Sequence, residues 1–185
     1  MRRNWSKFLI VPLLICLSSC AFGTRRPILS YTAVTPVRSP NNIVIKVVAF
    51  EDNRQNKKTI GEVRNAYGMK TADVVTETNI VAWITNALKS ELRNAGYTVK
   101  ETTGENEIQG EILKVYCAAL LNYKGEVMMK VSLKKGDEVL LDKMYSGEAS
   151  KLNLACTAKG YGTTLEESLQ KAMIQVVSDV DGSLK

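Results

Sequence analysis

The first twenty residues constrain this chain most, because they decide which part of the sequence takes part in the fold. A basic segment containing Arg2 and Arg3 leads into an apolar stretch, residues 8–17, and two serines then precede Cys20. This order of charge, short apolar core and small residues is typical of a secretory signal peptide. The apolar stretch is too short to cross a hydrocarbon core of about 30 Å as a permanent helix. We therefore exclude residues 1–19 from the fold.

The end of this leader resembles the bacterial lipobox, in which an aliphatic residue and two small residues precede a cysteine. Residues 17–20 read Leu-Ser-Ser-Cys, which predicts cleavage before Cys20, a diacylglycerol thioether on its sulfur and an N-acyl chain. Two or more acyl chains give stable membrane anchoring. An ordinary signal peptide with a chance cysteine is the alternative, and no other cofactor is expected. Arg2 and Arg3 alone do not make a twin-arginine signal, so we favour the general secretory route.

Ala21 follows the cysteine and bears on which membrane holds the anchor. In lipoproteins of Gram-negative bacteria, an aspartate at this position favours retention at the inner membrane. For a Gram-negative source we therefore predict an outer-membrane anchor, with the folded domain facing the periplasm.

Removing the leader changes the charge of the chain. The net charge of +6 includes three basic leader residues and falls to +3 without them. The strongly basic character that would favour nucleic-acid binding is then lost, and we expect no nucleic-acid partner.

Two cysteines, Cys117 and Cys156, remain after the leader and the lipidated residue are set aside. In an oxidising compartment they are candidates for a disulfide, which would stabilise the fold by about 3–4 kcal/mol. Two buried free thiols are the alternative. The chain has no histidine, and two cysteines alone make a poor zinc site, so we predict no metal.

Proline placement divides the mature chain into two parts. Three prolines fall within residues 20–42 and none follows, which favours an extended tether behind the lipidated cysteine. Residues 43–185 suit one domain with one core. The predicted organisation is a signal peptide at 1–19, a lipidated cysteine and tether at 20–42, and one periplasmic domain at 43–185.

Hydrophobic periodicity predicts the elements of this domain in the order β-α-β-β-β-α. The apolar run 43–50 is typical of a central strand, and the polar stretch 51–77 is expected to be a long loop or irregular hairpin. One helical face is apolar and ends at Gly96, a suitable left-handed cap. The members of that face are Ile80, Trp83, Ile84, Ala87, Leu88, Leu92 and Ala95.

Three strands, over 108–117, 127–134 and 139–145, and a second helix complete the pattern. Thr164 and Glu167 fit a capping box at the start of that helix. The predicted fold class is α+β, with a mainly antiparallel sheet and two amphipathic helices packed on one face.

The search for catalytic chemistry identifies no catalytic residue. Without histidine there is no Ser-His-Asp or Cys-His arrangement. Adjacent carboxylates occur at 51–52, 137–138 and 166–167. The second pair has a structural explanation in a turn and the third in the first turn of a helix. The glycine-rich segment 160–164 precedes a predicted helix, but it lacks the Lys-Ser/Thr of a phosphate-binding loop. We predict that the protein is not an enzyme.

One loop suggests a site of contact with a partner. Residues 51–77 are long for a connection within a compact domain, and such loops are often functional. Asp52, Arg54, Arg64 and Tyr67 are the candidate contact residues, since arginine and tyrosine are frequent at protein interfaces. The alternative is a polar network that pins the loop to the sheet.

The chain resembles the YajG family of bacterial lipoproteins. The resemblance rests on the lipobox, the proline-bearing tether and short motifs between residues 47 and 99. These motifs are residues 49–54 (Ala-Phe-Glu-Asp-Asn-Arg), Ile60-Gly61, residues 64–68 (Arg-Asn-Ala-Tyr-Gly) and residues 95–97 (Ala-Gly-Tyr). It implies an envelope lipoprotein without established enzymatic activity, and it supplies no catalytic residues.

Three functional hypotheses follow. The first is a non-enzymatic, membrane-anchored envelope lipoprotein whose domain is a binding or structural module for an envelope protein or lipid. The second is an auxiliary subunit of an envelope transport or assembly complex. The third is an enzyme that acts on cell-wall material, which would need two carboxylates brought together by folding.

Overall fold

The computed structural model describes residues 23–184, which form a mixed eight-stranded sheet with two helices. The leader and Cys20 lie outside the described residues. The strands are β1 Val44–Val47, β2 Glu51–Asp52, β3 Gly61–Arg64, β4 Lys70–Val74, β5 Thr98–Lys100, β6 Asn106–Ala119, β7 Asn122–Lys135 and β8 Glu138–Leu152, and the helices are α1 Ile80–Asn94 and α2 Ala158–Ser183.

Strand β6 organises the sheet. Along one edge it pairs in parallel with β1, then β2, then β3, each opposite a different part of its length. Along its other edge it pairs antiparallel with β7, which pairs antiparallel with β8. Strand β5 extends the sheet in parallel beside β1, and β4 closes a hairpin with β3.

The α+β class and the two helices are confirmed, but the mainly antiparallel sheet and the strand order are wrong. Four of the seven strand pairings among residues 23–184 are parallel. The connection through α1 returns β5 alongside β1 in the same direction, as helical crossovers do. The stretch 51–77 also contains three strands, β2 to β4. These strands are short and polar, so their sequence carries little of the alternation that marks a strand.

Helix α1 follows the predicted pattern. Its predicted apolar face is buried, and the side chain of Asn79 caps its N-terminus by accepting from the Ala82 N–H at 3.0 Å. Gly96 has a φ of +95° and its N–H bonds to the Arg93 carbonyl. A side chain is strained in that conformation, so glycine ends the helix here.

Helix α2 begins earlier than predicted. Its N-cap is Thr157, and residues 160–164, predicted as a loop, form its first turns. Thr164 is buried, and its hydroxyl donates to the Gly160 carbonyl at 2.7 Å, so the predicted capping box is absent. Gly160 belongs to the helix because a Cβ there would lie 2.2 Å from the Tyr123 ring. The glycine allows close contact with the sheet rather than marking a loop.

Residues 25–41, which we expected to form part of the tether, pack against the domain and are called the N-terminal strap here. The backbone of Arg25 forms an isolated parallel β-bridge with Val74 of β4, and the side chain of Leu29 is buried. The Trp83 indole N–H donates to the Ser30 carbonyl at 2.8 Å. Farther along, the N–H of Asn41 donates to the Gly96 carbonyl at 2.8 Å. These contacts hold an extended segment against α1 and β4, so residues 25–41 are not a free linker in the structure.

Candidate functional site

Asp52 and Arg54, two of the predicted contact residues, form a buried ion pair at the end of β2. Arg54 donates through Nε to Asp52 Oδ1 at 2.9 Å and through Nη2 to Oδ2 at 2.8 Å. These hydrogen bonds hold the pKa of the Asp52 carboxyl below its usual value. Arg54 is only 6% exposed, so this pair pins the loop and offers little surface to a partner.

Arg64 and Tyr67 lie elsewhere, at the tip of the β3–β4 hairpin. Asn65 shapes this turn, because its side-chain oxygen accepts from the N–H groups of Tyr67 and Met69 at 3.0 and 3.1 Å. Gly68 supplies the left-handed position, with a φ of +79°. The turn leaves Tyr67 87% exposed and Arg64 beside Glu62.

The four predicted contact residues therefore do not form one site. Asp52 pairs with Ile112 of β6, whereas Val63, next to Arg64, pairs with Ala119. Seven residues of β6 separate these positions, which corresponds to about 23 Å of strand. A shared loop in the sequence is divided in the fold because β2 and β3 pair with different parts of β6.

Tyr67 instead joins a group of exposed apolar side chains at one end of the sheet, called the apical surface here. They come from the β3–β4 turn, the β6–β7 turn and the end of β8. They are Tyr67, Met69, Leu120, Leu121, Leu152 and Leu154. The sequence signal for this group was pairs of leucines in turn segments, where polar residues are usual.

Asn153 holds two of the three apical segments together. Its N–H donates to the Leu121 carbonyl at 2.9 Å, and its side-chain amide donates to the Leu120 carbonyl at 2.7 Å. Its side-chain oxygen accepts from the Cys156 N–H at 2.7 Å. The apical leucines are thus displayed by a hydrogen-bonded framework.

Glu91 fastens the N-terminal strap to α1. Glu91 is fully buried, and its carboxylate accepts hydrogen bonds from the N–H groups of Val34 and Thr35 at 2.9 and 2.8 Å. The Tyr31 hydroxyl is a third donor. Burial alone would raise the pKa of Glu91, but these hydrogen bonds outweigh it and lower the pKa. The strap therefore binds an ionised carboxylate on the core face of the helix.

Acid is expected to loosen this attachment. Because the pKa of Glu91 is lowered on folding, its stabilisation is present above the ordinary glutamate range and is lost as the pH falls through the folded pKa. Trp83 reports the change, since its indole bonds to the strap at Ser30. Its emission should shift to the red as the pH falls below about 4, the ordinary pKa of a glutamate. Glu91→Gln removes the titration, so identical curves for the variant and the wild type would contradict this assignment.

The two cysteines are free thiols in the structure, so the predicted disulfide is not present there. Cys117 lies in the core, and burial raises the pKa of its thiol to about 12. Cys156 lies in the loop before α2, with its sulfur 3.8 Å from the Tyr161 hydroxyl. A neutral, buried thiol is a poor nucleophile. Oxidation of the pair in an oxidising compartment stays a prediction.

Two other carboxylates singled out in the sequence, Glu166 and Glu167, have structural partners. Glu166 accepts from the Thr32 N–H at 2.8 Å, and Glu167 pairs with Lys151 at 3.1 Å. Within residues 23–184, no group of three or more His, Cys, Asp or Glu side chains is arranged to hold a metal ion. In the same part of the chain, neither helix is long and apolar enough to cross a membrane.

A polar groove lies on the face of β6–β8 turned away from the helices. Its volume is about 360 Å³, and it is open to solvent. Lys130 and Asp142 form an ion pair of 3.0 Å across it. Gln109, Glu111 and Ser132 also line it.

Comparison with known families identifies the chain at the family level. Residues 33–181 match a family described as uncharacterized lipoprotein. The chain belongs to this lipoprotein family. The match begins inside the strap, at residue 33, and so covers Val34 and Thr35, whose N–H groups bind Glu91. A search of curated proteins gave no match.

Solved structures share the fold of this lipoprotein. Protein XCC0632 from Xanthomonas campestris superposes with a TM-score of 0.58 at 7% identity, covering 88% of this chain and 98% of that one. The hypothetical protein CT253 from Chlamydia trachomatis superposes with a TM-score of 0.55 at 11% identity, covering 78% and 98%. At these identities the likeness concerns the fold alone.

Proposed function

We propose that this lipoprotein is a non-enzymatic component of the cell envelope, anchored through acyl chains on Cys20. The family match over residues 33–181 carries the proposal, together with the lipobox at residues 17–20. Ala21 favours the outer membrane, with the domain facing the periplasm. We also propose that the chain is related to the YajG family of bacterial lipoproteins.

The chemistry of the described residues supports a binding or structural role. The chain has no histidine. The Cys117 thiol is neutral at physiological pH, and Asp52 and Glu167 are engaged with basic partners. None of these groups is available as a general base without first losing its structural partner.

The groove on the open face of β6–β8 is the surface we assign to a partner. Its charged and amide side chains favour a polar segment of an envelope protein, whereas a lipid carrier would need a deep apolar cavity. The alternative role, as an auxiliary subunit of an envelope transport or assembly complex, uses the same surface with a protein of that complex as its occupant.

Photocrosslinking in intact cells tests the assignment. A photoreactive residue in place of Gln109, which lines the groove, is expected to capture an envelope protein. The matched control replaces Ile174, a half-exposed residue on α2. Capture of the same products from both positions would show that the groove is not the binding surface.

A further inference from the structure

Strand register brings the three apical segments to the same end of the molecule. Strand β3 runs parallel to β6, with Val63 opposite Ala119, so the β3–β4 turn lies beside the β6–β7 turn. Strand β8 ends there as well, since Leu152 pairs with Asn122 at the start of β7. Three segments far apart in the sequence therefore contribute to one surface.

The apical surface groups several apolar side chains that are largely exposed. Tyr67 and Leu154 are each 87% exposed, and Leu121 is 77% exposed. Clustered apolar groups of this kind mark a site of interaction with a protein or a membrane. The opposite end of the β7–β8 ribbon, about 45 Å away along the strands, is a tight turn at Gly136 with Val139 half-exposed nearby.

The start of the described chain lies against this same end. The Arg25 guanidinium donates to the Gly23 carbonyl at 2.6 Å and to the Cys156 carbonyl at 2.8 Å. The N–H of Cys156 donates a hydrogen bond to the side chain of Asn153, which also holds Leu120 and Leu121. An extended chain spans at most about 11 Å over the three residues from Cys20 to Gly23. A lipid on Cys20 is thereby confined to the neighbourhood of the apical surface.

Basic side chains flank the apical surface. Arg64 and Lys70 on the β3–β4 hairpin each pair with a carboxylate. Lys124 near the start of β7 and Lys159 in the first turn of α2 are exposed. Within residues 23–184, neither Lys124 nor Lys159 takes part in an ion pair. Apolar side chains flanked by two exposed lysines suit the boundary between acyl chains and anionic headgroups.

We propose that the apical surface docks onto the membrane that carries the lipidated Cys20, with its leucines in the headgroup–acyl boundary. This inference rests on the proposed lipid anchor and adds an orientation to it. The occupant is a lipid surface containing anionic phospholipid. The β6–β8 ribbon then extends away from the bilayer, and the polar groove on it is presented to the periplasm.

Tryptophan reporters in the lipidated full-length protein test the docking. The mature chain has one tryptophan, Trp83, which is buried and gives a constant background. Leu121→Trp and Leu154→Trp place reporters on the apical surface, and Val139→Trp is the matched control at the opposite end. The proteins are reconstituted into vesicles of phosphatidylethanolamine and phosphatidylglycerol with brominated acyl chains. The apical reporters are expected to be quenched at least about twofold more strongly than the control.

The outcomes separate docking from anchoring. Flotation of the wild type with the vesicles tests the anchor, and its failure would overturn the proposed function. Flotation with equal quenching at all three positions would overturn the docking alone. If a second copy of the chain covers the leucines instead, the emission of the apical reporters would shift to the blue in detergent and brominated lipid would not quench it. That result would also overturn the docking. All three substitutions are at exposed positions, so unfolding midpoints matching the wild type confirm that the fold is retained.

Discussion

Replacing Glu91 with alanine is expected to lower the free energy of unfolding by about 3 kcal/mol or more. The substitution leaves the N–H groups of Val34 and Thr35 and the Tyr31 hydroxyl without their acceptor. Each buried donor left unsatisfied costs about 1–3 kcal/mol. Denaturant titration measures the loss, and the strap should become sensitive to protease at the same time.

Glu166 provides the matched control. Its carboxylate also binds the strap, accepting from the Thr32 N–H and the Ser30 hydroxyl, but these contacts are exposed to solvent. Water replaces the lost acceptor there, so Glu166→Ala should cost less than about 1 kcal/mol. Equal losses for the two variants would show that burial of Glu91 does not determine how the strap is held.

Replacing Gly147 with alanine is expected to destabilise the protein by about 3 kcal/mol, because α2 packs directly on the β8 backbone at this glycine. A Cβ atom at residue 147 would lie 1.9 Å from the Ser168 carbonyl oxygen and 2.7 Å from the Ala172 nitrogen. Both are backbone atoms of α2, so the helix itself must move. Thermal and denaturant unfolding measure the effect.

Gly182, near the end of the same helix, is the control for this substitution. A Cβ there meets no atom within 4 Å. Alanine favours a helix over glycine by up to about 1 kcal/mol, so Gly182→Ala should leave stability unchanged or raise it. A similar loss from both variants would contradict the close approach of helix and sheet at Gly147.

Periodicity in the sequence predicted the elements whose burial is regular. The apolar stripe of α1 and the alternation along β7 are both reproduced in the core, from Ile80 to Leu92 and from Val127 to Leu133. Burial on one face imposes these repeats, so the sequence carries them directly. Strand direction leaves no such mark, and the parallel pairing of β6 with β1, β2 and β3 was accordingly missed.

The strap was missed because its stabilising contacts are polar and distant in sequence. Residues 25–41 lack a hydrophobic repeat, and their backbone groups bond to side chains of α1 and α2. Glu91 itself gave a signal, since it falls three residues after Leu88 on the apolar face of α1. A carboxylate in that position requires buried donors, and the extended segment supplies them.

The candidate site was predicted only in part. The sequence placed Asp52 with Arg54 and Arg64 with Tyr67 in one loop, and the fold separates the two pairs along β6. The apical leucines depend on which turns share an end of the sheet, and that follows from strand register rather than from local sequence.

The lipid anchor is tested most directly by the mass of the mature N-terminus, measured on protein extracted from bacterial membranes. We expect a chain that begins at Cys20 and carries a diacylglycerol thioether and an N-acyl group, with the modification and the membrane association both lost in Cys20→Ala. A mature chain that begins at another residue, or an unacylated Cys20 in membrane-bound protein, would contradict the lipid anchor.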